Sequence, residues 1–131
     1  CANDNAYINQ LYQLYWADIK SEHDATEGRE GKMNDFYNKY QDRFVTQYAA
    51  TNHAEDIAET FTYFVTQDNK PAGSTIAEKK ILLLYNYPEL VDLRTHIRNS
   101  LGGFGKSVSL LPKPGAWKRA NSFGSFHHSH E

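Results

Sequence analysis

Between Ile8 and Leu101 apolar residues recur three and four positions apart rather than two. That period suits helices and excludes a sheet built on alternation. Ile8, Leu11, Tyr12, Tyr15 and Ile19 mark one face of a first helix with Asp4 as its cap, and Gly28 and Gly31 fall in the polar stretch that follows. A shorter helix is expected from Met33 to Asp42. A third starts at Thr51 or Asn52 and places Ala54, Ile57, Ala58, Phe61, Phe64 and Val65 on one stripe, ending before the turn at 68–73. Asn52 with Glu55 three residues on has the capping-box pattern. Ser74 or Thr75 opens a fourth helix, whose run from Ile81 to Tyr85 is too apolar to face water. Pro88 opens the last one, with Leu90, Leu93, Ile97 and Leu101 facing inward and Gly102 as its stop. The expected fold is all-α, an irregular bundle of four to five helices.

The remaining thirty residues differ in kind. Residues 1–101 carry ten basic and fifteen acidic side chains, whereas 102–131 carry Lys106, Lys113, Lys118 and Arg119 against Glu131, with five of the eight glycines and two of the four prolines. Such a stretch cannot sustain apolar periodicity, so a flexible, irregular basic tail is expected after a helical unit at 1–101. A net charge of -2 gives no electrostatic reason to expect nucleic acid as a partner. No run approaches the roughly 18 apolar residues of a transmembrane helix. The single cysteine excludes an internal disulfide and a cysteine-rich zinc knuckle. Cys1, followed by Ala2, Asn3 and Asp4, fits either a lipidated amino terminus or, more simply, a cut in a longer chain.

Chemistry concentrates in the run from Phe44 to Phe61. At about 100° per residue, Glu55 and Glu59 stack one turn apart on a stripe distinct from the apolar one. Like charges at that spacing cost an isolated helix a few tenths of a kcal/mol, so a partner outside the helix has to repay them. A zinc ion with a histidine ligand is such a partner, one carboxylate binding metal and the other bracing the histidine N–H. The plainer reading is a solvated Glu-x-x-x-Glu face with Glu55 as a cap partner.

The string from Tyr48 to Phe61, Tyr-x-x-Thr-Asn-x-Ala-Glu-x-x-Ala-Glu-x-Phe, resembles the segment that holds the third zinc ligand in the lethal-factor-like peptidases of the gluzincin class. The resemblance is densest over these fourteen residues and looser over the helix from Asn86 to Leu101. It implies zinc-dependent hydrolysis of a peptide or protein substrate. Glu55 takes the zinc-ligand position, Glu59 the carboxylate behind a zinc-bound histidine, and Tyr48 the catalytic tyrosine near the metal. It also favours a secreted or cell-envelope location.

One half of the family pattern is missing. The histidines are His23, His53, His96, His127, His128 and His130, and none begins a His-Glu-x-x-His motif. The resemblance therefore implies the C-terminal part of a catalytic domain whose histidine helix lies upstream, with one zinc ion in the complete domain and little activity in this chain alone. Glu55 and Glu59 are expected on one exposed or half-exposed face, with the Tyr48 hydroxyl directed toward Glu55.

Other features carry less. His53 reads as exposed, Arg94 with Arg98 as a solvated helix row, and His127, His128 and His130 as part of a solvated tail. Gly102 to Ser107 lacks the spacing of a phosphate-binding loop, and Cys1 has no neighbouring base. A competing reading is a non-catalytic module that binds a protein through Tyr7, Tyr12, Tyr15 and Trp16.

Overall fold

The computed structural model describes residues 6–101; Cys1, Asp4, Gly102 and the tail expected at 102–131 lie outside the described residues. Six helices form, with no strand among the described residues: α1 (Ala6–Tyr15), α2 (Lys20–Asp24), α3 (Glu30–Lys39), α4 (His53–Thr66), α5 (Ile76–Tyr85) and α6 (Pro88–Ser100). Two short 3-10 turns, Gln41–Arg43 and Tyr48–Thr51, join α3 to α4. The all-α expectation holds. α5 runs through the middle, touching α1, α4 and α6.

Two apolar clusters meet along α5. Leu11, Trp16, Ile19, Phe36, Phe44 and Leu83 form one, and Phe64, Val65, Ile81, Leu84 and Leu90 the other. Trp16 belongs to the interior, so it is not offered to a partner, and Tyr7, Tyr12 and Tyr15 are half-buried against these clusters.

Several boundaries differ from the expected ones for identifiable reasons. The single helix expected through Ile19 breaks after Tyr15, because Trp16 and Ile19 both turn into the core and Arg43 caps the break. Its guanidinium donates to the Tyr15 carbonyl at 3.3 Å and to Asp18 at 2.7 Å. α3 begins at Glu30 rather than Met33 and ends at Lys39, leaving Asp42 in a 3-10 turn. Gly73 has φ +91°, and a Cβ there would come within 2.8 Å of the Leu82 side chain, so the turn before α5 requires glycine. Thr75 then caps α5 by accepting the Glu78 N–H at 3.1 Å.

α6 packs differently from its apolar pattern. Leu90 is buried, but Leu93 and Leu101 are 42% and 45% exposed. Arg94 and Arg98 take the inward role instead. The Arg94 guanidinium donates to the carbonyls of Phe64 at 2.7 Å and Gln67 at 2.6 Å, and Arg98 donates to Val65 O at 2.8 Å. These two residues therefore satisfy carbonyls at the C-terminal end of α4, where no further turn can. They are not a merely solvated row.

Candidate functional site

The site begins with a stretch that is not helical. Phe44 is extended (φ −125°, ψ 136°), and the residues after it pass beside α4 to the Tyr48–Thr51 turn. Ala49 and Ala50 are buried there, their small side chains letting the turn press on the core. The Thr51 carbonyl accepts from His23 Nε2 at 2.7 Å, which ties the turn to α2 and puts the hydrogen on that ring nitrogen. Asn52 is extended and accepts the Glu55 N–H at 2.9 Å, so α4 starts where the capping pattern places it.

Two hydrogen bonds join this stretch to α4. The Tyr48 hydroxyl donates to Glu55 Oε2 at 2.9 Å, on the expected side of the helix. Thr46 Oγ1 donates to Glu59 Oε1 at 2.7 Å. Burial first, then the Glu55 hydrogen bond and the charges of Glu55 and Glu59, push the Tyr48 phenol above its ordinary pKa of 10.0. It therefore keeps its proton at neutral pH and serves as a donor.

Glu55 and Glu59 do share a stripe one turn apart, but they are not equally placed. Glu55 is half-buried, whereas Glu59 is only 1% exposed. The expectation of an exposed or half-exposed pair is thus corrected for Glu59. The Thr46 hydroxyl supplies one of the contacts that a buried carboxylate requires.

The buried side of α4 is also rotated by about a third of a turn from the apolar stripe. Asp56, Glu59, Thr60, Phe64 and Val65 are buried, while Ala54 is exposed and Ala58 and Phe61 are half-buried. The cause is a polar cluster that sequence reasoning missed. Asp56 Oδ2 accepts from the Trp16 indole N–H at 2.7 Å and from Lys80 Nζ at 2.6 Å, and Oδ1 accepts from Thr60 at 3.1 Å. The available signal was Lys80 itself, four residues from both Ile76 and Leu84 and hence on an apolar side of α5. For Thr46 no periodicity argument applied.

His53 is likewise not exposed. Its ring meets Tyr12 and Trp16 edge-on, with centroids at 5.1 and 5.9 Å, and neither buried nitrogen finds a well-formed hydrogen bond among the described residues. Burial lowers its pKa below 6.5, outweighing the opposing pull of Asp56 and of the Ile8 main chain.

No three His, Cys, Asp or Glu side chains among the described residues come together as a possible metal group. Glu55 is a half-buried carboxylate with the buried Glu59 carboxylate one turn behind it. His53 faces α1 and the turn that follows it, where its ring meets Tyr12 and Trp16. A groove of about 520 Å³ lies farther along α4, lined in part by Phe44, Val45, Tyr63, Ile81 and Tyr85, and none of Tyr48, Glu55 or Glu59 borders it. No helix of the described residues is long and apolar enough to cross a membrane. Compared with family models, curated proteins and solved structures, the chain matches none.

Proposed function

We propose that residues 44–66 form the glutamate-bearing half of a zinc-dependent site for hydrolysing peptide bonds. Glu55 is a metal ligand, Glu59 braces a metal-bound histidine, and Tyr48 donates to the oxygen on which negative charge develops. The observation that carries this reading is the Tyr48–Glu55 hydrogen bond, which brings a protonated phenol to a half-buried carboxylate with Glu59 one turn behind. The side of α4 next to Glu55 bears Ala54 and Ala58, which leave room for another segment to approach closely.

On this reading the two histidine ligands and the general base come from a His-Glu-x-x-His segment outside these 131 residues. Zinc, when bound, supplies Lewis-acid activation of the carbonyl and of the attacking water. The residues described here would hold one ligand position and fix the tautomer of a second ligand, and the Tyr48 hydroxyl, whose one hydrogen goes to Glu55 Oε2 in this structure, would turn from Glu55 to donate to the developing oxyanion. The substrate is a peptide or protein.

The longest protein encoded with this sequence is the material for the test. It should hold one zinc ion per chain and cleave peptides, and Glu55→Ala should lose both. Tyr48→Phe should keep the metal but lower kcat. Glu59→Ala should weaken zinc affinity by about 10- to 100-fold. The 131-residue chain alone should bind zinc far more weakly, having one ligand where a catalytic site needs three. Full activity in Glu55→Ala, or stoichiometric zinc in the 131-residue chain, overturns the assignment.

A further inference from the structure

If Glu59 braces a ligand, its orientation matters, and one hydrogen bond that holds it comes from outside the Tyr48–Phe61 string. Thr46 Oγ1 makes two hydrogen bonds, one to Glu59 Oε1 at 2.7 Å and one with the Ala49 N–H at 3.1 Å. A hydroxyl has one hydrogen and two lone pairs, whereas a backbone N–H can only donate. The Thr46 oxygen therefore accepts from Ala49, and its hydrogen is committed to Glu59 Oε1. One atom both holds the buried carboxylate and closes the turn that presents Tyr48.

The two links to α4 then work as rungs of one ladder. Thr46 meets Glu59 and Tyr48 meets Glu55, so a shift at the first rung is transmitted through the 46–49 turn to the second. We infer that Thr46 is a positioning residue of this site, orienting Glu59 and fixing the turn that aims Tyr48 at Glu55. The inference rests on the zinc-site reading above and adds to it a residue that the resemblance does not include.

Thr46→Val keeps the shape and removes both hydrogen bonds, while Thr46→Ser keeps them. In the zinc-loaded full-length protein, Thr46→Val should weaken zinc affinity about 10-fold, in the range of other losses around a metal ligand. Thr46→Ser should restore it to within about 2-fold, since the hydroxyl and both its bonds return. In a Glu59→Ala background, Thr46→Val should change zinc affinity by less than about 2-fold, because no carboxylate remains to orient. A second readout needs no metal: hydrogen exchange at the Ala49 amide should speed up in Thr46→Val and not in Thr46→Ser. Should Thr46→Val fail to fold, Thr46→Cys, with a weak donor of similar size, takes its place with a smaller expected loss.

Equal behaviour of the Ser and Val variants, or additive losses from Thr46→Val and Glu59→Ala, overturns the inference while Glu55→Ala still loses zinc. Retention of zinc by Glu55→Ala overturns the underlying reading and the inference with it.

Discussion

Asp56 Oδ2 receives two donors at once, the indole of Trp16 and the ammonium of Lys80, in a region where Asp56 and Lys80 are both 0% exposed. Lys80 also lies over the Phe44 ring at 4.3 Å, and burial draws its pKa down while Asp56 opposes that shift. Such a pair adds little net stability over an apolar one, yet breaking it leaves an uncompensated charge inside. Lys80→Met should therefore destabilise the fold by about 3–5 kcal/mol. The double variant Asp56→Leu/Lys80→Met should recover most of that loss, as read from urea unfolding midpoints. Equal losses in the single and double variants would falsify the view that the unpaired carboxylate is the cost. Because Asp56 follows Glu55 directly, the same pair sets the rotation of α4 that turns Glu55 and Glu59 toward Tyr48 and Thr46.

At the scale of elements, α4 is held at both ends by side chains from elsewhere. Asn52 caps its start, and Arg94 and Arg98 on α6 donate to the carbonyls of Phe64, Val65 and Gln67 at its end. Arg94→Ala should cost about 1–3 kcal/mol, the penalty of leaving part-buried carbonyls without their charged donor. Arg94→Lys should recover only part, since a single ammonium cannot reproduce the guanidinium fork. Thermal unfolding of both variants checks this, and a Lys variant as stable as wild type would rule out the fork geometry as the cause. The helices themselves were legible: Asn52, Thr75 and Pro88 stand at or beside the starts of α4, α5 and α6. What period-counting could not show was which face of α4 goes inward, because hydrophobicity alone misplaces a helix whose buried side contains Asp56, Glu59 and Thr60. It misread α6 for the same reason, as arginines took the inward positions assigned to Leu93 and Leu101. The Tyr48 and Glu55 positions were legible from one fourteen-residue string, but Thr46 was not, since its role depends on a contact thirteen residues away.

Across the whole molecule, His53 sits where α1, α4 and α5 converge. Tyr12 faces it from α1, Trp16 from the turn after α1, Asp56 from its own helix and Lys80 from α5, with the Ile8 main chain nearby. Its folded-state pKa lies below the ordinary histidine value of 6.5, so the unfolded chain takes up a proton near that pH that the folded chain resists. This group costs nothing well above 6.5, and its destabilising effect grows as pH falls through the unfolded value, levelling off below the folded one. Asp18, Glu22, Asp24 and Glu78 have folded pKa values below their ordinary ones, through Arg43, Tyr40, Lys20 and the Ser74 backbone respectively. Their stabilisation is present above the carboxylate range and is lost only at more acid pH, so the two windows are separate. Lowering the pH from about 7.5 to about 5.5 should therefore lower the Tm mainly through histidine, and His53→Phe should flatten that dependence. The variant should gain most over wild type at the acid end, because phenylalanine fills the same aromatic niche against Tyr12 and Trp16 without nitrogens to protonate. An unchanged slope in His53→Phe would mean that the acid sensitivity arises at another group.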